Sequence, residues 1–265
     1  MRSGTILRCV TACAALWALL PSIASASPLP TGFAEASFQG RSPEHDNGVV
    51  SFTLMNGDCS KKDYGDGRGE SDCKNGNLRS QIHTSSKQKL GGAYEYSMEI
   101  WIDPSFTYSA YGQPRSPLLI AEWQRINAVK NHMYELHLDT MRGVQFEDKN
   151  CFKPEAFGEW RRFTMVVKWS KGSDGLLRVT CDDQIVYELA AQQTAIPPRC
   201  GERVKLQCDP KRQNLRRPIS WQVGPKLGGF GTEYRKHGLD SPFRTFPGSG
   251  LRMKVRNLYY GPVRK

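Results

Sequence analysis

The chain has 265 residues, 38% hydrophobic and 24% charged, with 37 Lys and Arg against 26 Asp and Glu and a formal charge of +11. This balance excludes wholesale disorder, a collagen-like chain and a coiled coil, and the length suits one large β sandwich or two smaller domains. The positive excess favours acidic partners: anionic polysaccharide, nucleic acid or lipid headgroups.

The first predicted element is a targeting segment. Arg2 and Arg8 make a basic start, and residues 9–20 form an apolar run too short to span a bilayer. Ala24-Ser25-Ala26 then supplies the small-x-small pattern of a leader cleaved after Ala26. The mature chain 27–265 is expected to be secreted or periplasmic, with no membrane attachment after cleavage. Removing the leader lowers the charge by two and takes away Cys9 and Cys13. The remaining cysteines are Cys59, Cys73, Cys151, Cys181, Cys200 and Cys208. An even number in an exported chain reads as disulfides, and six allow 15 connectivities. The preferred pairing is Cys59–Cys73, Cys151–Cys181 and Cys200–Cys208, two short loops and one link between strand regions. Zinc is disfavoured because no CxxC or paired Cys/His spacing occurs.

Residues 27–50 read as an arm entering a strand near 49–55, and 56–76 as a loop dense in Gly, Asp and Lys. Alternating segments follow at 77–83, 93–103, 117–125, 132–139, 162–169, 176–188, 219–224 and 251–259, each short and bounded by Gly, Pro, Asn or Asp. A short helix near 153–158 is the one helical candidate. Residues 196–218 and 225–250 form two long excursions, the places where loops on a rigid β scaffold carry function. Many strands without sustained helical periodicity predict a single all-β domain, an antiparallel sandwich.

Residues two apart on a strand share a face. Asn77, Arg79, Gln81 and His83 are thus grouped, as are Glu95, Ser97, Glu99, Trp101 and Asp103, with Tyr94, Tyr96, Met98, Ile100 and Ile102 facing the core. On 118–125, Leu118, Ile120, Glu122 and Gln124 alternate with Leu119, Ala121, Trp123 and Arg125; Glu135, His137 and Asp139 form a further row. Polar and aromatic groups in such rows suit sugar binding, through stacking on rings and hydrogen bonds to hydroxyls.

Several segments resemble, in order, the concanavalin A-like jelly-roll polysaccharide lyases of the heparin lyase I and glucuronan lyase type. Arg79-Ser80-Gln81-Ile82 is similar to an Arg-Ser-Glu-Leu strand. GAYEYSMEIWIDPSF at 92–106 is similar to a strand ending in Pro-x-Phe, and LLIAEWQ at 118–124 to I-x-A-Q-W-H. Residues 158–186 resemble the V-K-W-S step and D-G turn, and ISWQVG at 219–224 resembles Y-F-K-x-G. Gln81-Ile82-His83 is also similar to the Q-I-H motif of alginate lyases. The resemblance implies a jelly roll and β-elimination on a uronic-acid polysaccharide, without a cofactor. A base removes the C5 proton, a donor neutralises the carboxylate, and an acid protonates the leaving oxygen.

On this reading Arg79 and Gln81 neutralise the uronate, His83 abstracts the proton, and Tyr234 or Lys226 is the second proton-transfer group. Glu99, Trp101, Glu122, Trp123, Gln124 and Gln222 bind substrate. The chain departs from the pattern at Glu122-Trp123-Gln124, where the family has Gln-Trp-His, and at Lys226, where it has Tyr. Two alternatives stand beside the lyase. One is a jelly-roll glycoside hydrolase using Glu99 and Asp103; the other is a non-catalytic carbohydrate-binding protein gripping anionic sugar with Arg212, Arg216 and Arg217. The expected partner is an anionic polysaccharide bound by a monomer, with no nucleic acid. Asp63, Asp66, Glu70 and Asp72 make structural calcium conceivable, although their spacing is not that of an EF-hand.

Overall fold

The computed structural model describes residues 28–264 other than 66, 68, 70, 87, 111–116, 126–131, 196–217 and 229–249. The leader, Cys200–Cys208, Tyr234, Arg212, Arg216 and Arg217 lie outside the described residues. The alternating segments become strands, two of them (77–83 and 176–188) as pairs, and β1, β2, β9 and β10 are added: β1 (Phe33–Glu35), β2 (Glu44–Asp46), β3 (Val49–Leu54), β4 (Leu78–Arg79), β5 (Ile82–Thr84), β6 (Ala93–Ile102), β7 (Leu118–Arg125), β8 (His132–Asp139), β9 (Gly143–Phe146), β10 (Lys149–Phe152), β11 (Arg161–Lys168), β12 (Gly175–Cys181), β13 (Gln184–Gln192), β14 (Ile219–Leu227) and β15 (Leu251–Pro262). One short helix, α1 (Asp72–Asn75), starts at Ser71 and ends at Gly76, whose left-handed φ of 69° suits a residue without Cβ. The helical candidate near 153–158 is a 3₁₀ turn, Pro154–Ala156.

Two antiparallel sheets result. The first has the order β1-β5-β14-β7-β8-β9-β10, with β4 also on β14; the second runs β13-β12-β11-β6-β15-β3-β2. Every strand except β2, which is Glu-His-Asp, contributes apolar residues that belong to or pack against one core. On β6 these are Tyr96, Met98, Ile100 and Ile102, as the alternation predicts, while Tyr94 of the same row is only partly buried against them. Trp123 and Trp221 are register partners on β7 and β14, and their rings stack at 5.9 Å and 12°. Tyr96 meets both edge-on and accepts a 3.1 Å hydrogen bond from Trp169 Nε1.

Two of the three expected disulfides are present among the described residues, Cys59–Cys73 and Cys151–Cys181. The second joins β10 of the first sheet to β12 of the second, so it ties the two layers together. The arm at 27–50 contributes more than expected, because β1 and β2 lie at the edges of opposite sheets. No helix among the described residues is long and apolar enough to cross a membrane.

Candidate functional site

The outer face of the first sheet carries two polar rows. Directly opposed residues in an antiparallel pair point to the same face. Register therefore aligns His83 (β5), Gln222 (β14), Glu122 (β7) and Glu135 (β8). The neighbouring row is Arg79 (β4), Lys226 (β14), Leu119 (β7), His137 (β8), Gln145 (β9) and Asn150 (β10).

β-Bulges decide which side chains reach this face. The β7–β8 register shifts between Leu119 and Ala121, and the β7–β14 register between Val223 and Lys226. A bulge inserts one residue and reverses the alternation. Leu118 and Ile120 accordingly join Ala121 and Trp123 in the core, while Glu122 and Gln124 point the other way. This corrects the grouping of Leu118 and Ile120 with Glu122. Gly224 makes the β14 bulge possible, with φ 120°; a Cβ there would lie 2.3 Å from the Ser80 carbonyl oxygen and 2.6 Å from Phe52. Such a glycine marks a close approach of two backbones.

At the bulge, Lys226 Nζ donates to both carboxylate oxygens of Glu122, at 2.9 and 3.0 Å. Glu122 is 0% exposed and the Lys226 side chain 12%. Gln81 Nε2 donates to Glu122 Oε1 and to the Gly224 carbonyl, both at 3.4 Å. Gln222 Nε2 donates to Gln124 Oε1 at 3.3 Å. His83 is half-buried, and desolvation lowers its pKa from the usual histidine value, which favours a neutral imidazole able to accept a proton. His137 Nε2 lies 3.3 Å from Glu135 Oε2.

Several expected roles are corrected by this geometry. Trp123 is fully buried against Trp221 and cannot line a sugar subsite. Gln81 is fully buried, with its amide turned to Glu122, so it positions that carboxylate and does not touch a uronate. Arg79 binds Asp72 through Nε at 2.6 Å and Nη2 at 2.7 Å. Asp72 also accepts from Tyr64 and Asn77, and burial plus the Asp72 bond push the Tyr64 pKa up to about 12. Arg79 thus braces the disulfide loop, and Asp72 is engaged by that brace; Asp66 and Glu70 lie outside the described residues.

Glu99 and Trp101 belong to β6, in the second sheet, and so lie on the opposite outer face from His83 and Glu122. The Glu99 and Asp103 carboxylates of the hydrolase alternative are each engaged locally, Glu99 by Arg256 and Asn257 and Asp103 by Ser105. Arg256 holds the Glu99 pKa low, and hydrogen bonds from Ser105 hold that of Asp103 low, so neither is poised as a general acid.

The Glu122–Lys226 pair itself is the feature that reading positions one at a time misses. Its signal is a complementary double departure: an acid where the resembled family has Gln, and a base where it has Tyr. Gln145 and Asn150, joined by a 2.7 Å hydrogen bond, extend the polar row and belong to strands too short to stand out by alternation.

No family model matches the chain. No match to a curated protein is found. Among solved structures, endo-β-1,4-glucuronan lyase from the fungus Trichoderma reesei aligns over 87% of each chain, with 10% identity and a TM-score of 0.51. Alginate lyase Aly36B aligns over 84% of each chain at 12% identity and TM-score 0.48. The family 18 polysaccharide lyase aly-SJ02 covers 88% of this chain and 98% of its own at 8% identity and TM-score 0.48. The chain has the all-β jelly-roll fold of a polysaccharide lyase. At this identity the likeness is one of fold, and function has to be argued from the site.

Proposed function

We propose that the chain is a secreted polysaccharide lyase that cleaves an acidic, uronic-acid-containing polysaccharide by β-elimination on the outer face of the first sheet. The observation that carries this reading is the delivery of the Lys226 ammonium onto buried Glu122, in the same stretch of face as His83, Gln222 and Gln124. His83 and Glu122 stand two strand spacings apart, about 10 Å between Cα atoms, a span that a bound sugar residue bridges. His83, kept neutral by burial, takes the C5 proton. The C5–H electrons form the C4=C5 double bond as the C4–O bond breaks. Lys226 gives a proton to the leaving glycosidic oxygen, with Glu122 and Gln81 orienting its ammonium. Gln124 and Gln222 meet the uronate carboxylate. Tyr234 is the alternative acid. The leader pattern and the disulfides support an exported protein.

The test is ultraviolet absorbance during incubation with glucuronan, alginate, heparin, hyaluronan and an acidic bacterial exopolysaccharide. Elimination makes a conjugated unsaturated uronide that absorbs, and hydrolysis does not. A rising signal with one of these glycans, lost in H83A, is expected. A flat trace throughout would refute the reading.

The non-catalytic alternative has its own support: Lys226 and Arg79 both spend hydrogen bonds on internal carboxylates. It predicts retention on an acidic glycan without any new chain ends.

A further inference from the structure

The outer face of the second sheet carries a short row of cations, on the side turned away from the first sheet's polar face. On β15, Leu251, Met253 and Val255 fill the core, so Arg252, Lys254 and Arg256 share the outer face of the second sheet. Lys254 is the register partner of Trp101, and Arg256 of Glu99, which in turn faces Arg162 on β11. Lys254 Nζ lies 5.1 Å from the centre of the Trp101 ring, and the Arg256 guanidinium 4.2 Å from that of Trp160.

Two carboxylates on this stretch are already engaged, Glu95 by Arg264 and Glu99 by Arg256. Glu99 accepts from Arg256 at 2.7 Å and from Asn257 at 3.0 Å, leaving the 60%-exposed Arg162 at 3.9 Å. Arg252 and Lys254 are exposed and form no ion pair within 4 Å among the described residues, and their nearest acid is Asp103, whose charge they help to hold. Beside the stripe an open groove of about 600 Å³ is lined by Arg162, Tyr259 and Arg264 together with Ser97, Glu99 and Asp183. Exposed cations therefore alternate with partly exposed indole rings. A uronate or sulfated sugar offers the matching groups, an anion for each cation and a C–H face for each ring.

We propose that this outer face of the second sheet is a second glycan-binding surface, holding a carboxylate- or sulfate-bearing polysaccharide on the side opposite His83 and Lys226. It would keep the protein on a polymeric chain while the first face works. The choice of an acidic glycan as ligand rests on the function proposed above.

The test is affinity electrophoresis of the full chain through gels containing glucuronan, alginate, heparin or a neutral β-glucan. Wild type and H83Q are expected to be retarded alike in at least one acidic gel and not in the neutral one. R252Q/K254Q is expected to lose roughly threefold to thirtyfold in affinity, the sum of two exposed charge contacts. Its initial lyase rate on short oligosaccharides should not change. W101L, with its thermal midpoint checked, should lose affinity with every charge in place. The proposal is overturned if R252Q/K254Q is retarded as strongly as wild type, or if no acidic gel retards wild type. Equal retardation by polyglutamate or single-stranded DNA would also overturn it, reducing the face to a non-specific cationic surface. Retardation without any ultraviolet product would separate failure of the lyase reading from failure of this one.

Discussion

Replacing Lys226 by Met tests the buried pair at the centre of the site. Met keeps most of the side chain's length and removes the ammonium, so a carboxylate that is 0% exposed loses a partner at 2.9 and 3.0 Å. Breaking a buried ion pair from one side costs about 3–5 kcal/mol. The 12% exposure of Lys226 places this case near 3 kcal/mol, about a hundredfold in the folding equilibrium. The reverse change, E122Q, leaves a partly exposed ammonium beside a neutral amide and should cost about 1 kcal/mol. In K226M/E122Q no charge of the pair remains buried. The double variant should therefore be more stable than K226M alone, with a coupling of about 2 kcal/mol. Urea unfolding followed by tryptophan fluorescence reads all four proteins, because Trp123 and Trp221 are buried in the core behind the site. Costs of K226M and E122Q that add to within about 0.5 kcal/mol would refute the reasoning.

Two further outcomes follow from the same face. Burial lowers the His83 pKa, so the unfolded chain binds a proton there at a higher pH than the native one. Its contribution to stability is present above the unfolded value of about 6.5 and is lost as pH falls through the lower folded value. Denaturation profiles from pH 8 to 5 should show wild type losing stability that H83Q retains, and equal slopes would contradict the assignment. Gly224→Ala puts a Cβ 2.3 Å from the Ser80 carbonyl oxygen at a φ of 120°. It should destabilise by about 2 kcal/mol or more and lower the lyase rate through displacement of Gln81 and Glu122. A thermal midpoint unchanged from wild type would mean that the bulge is not under this constraint.

Much of the fold is legible in the residues. The period-two pattern of 93–103 becomes β6 with its predicted core face, because both rely only on the geometry of one strand. Cys59–Cys73 and Cys151–Cys181 also form as expected. The short strands β1, β2, β9 and β10 are much less visible. At three or four residues, alternation cannot rise above chance, and their pairing partners stabilise them.

The site was legible only as a set of residue types. Sequence alone placed Glu122, Gln124 and Gln222 on strands, left Lys226 in the excursion after one, and supplied their chemistry; the strand in fact runs on through Lys226 to Leu227. Tertiary structure decided which of them meet. The Lys226–Glu122 contact spans 104 positions of chain and requires the β14 bulge that Gly224 permits. It also separated two tryptophans that local pattern treats alike. Trp123 lies inward against Trp221, whereas Trp101 lies outward on the other sheet beside Lys254. Strand parity and turn chemistry are short-range properties that the chain carries in its order of residues. A bulge that reverses parity, and the sheet to which a strand belongs, are settled by long-range pairing, which exists only once the two layers have closed on their core.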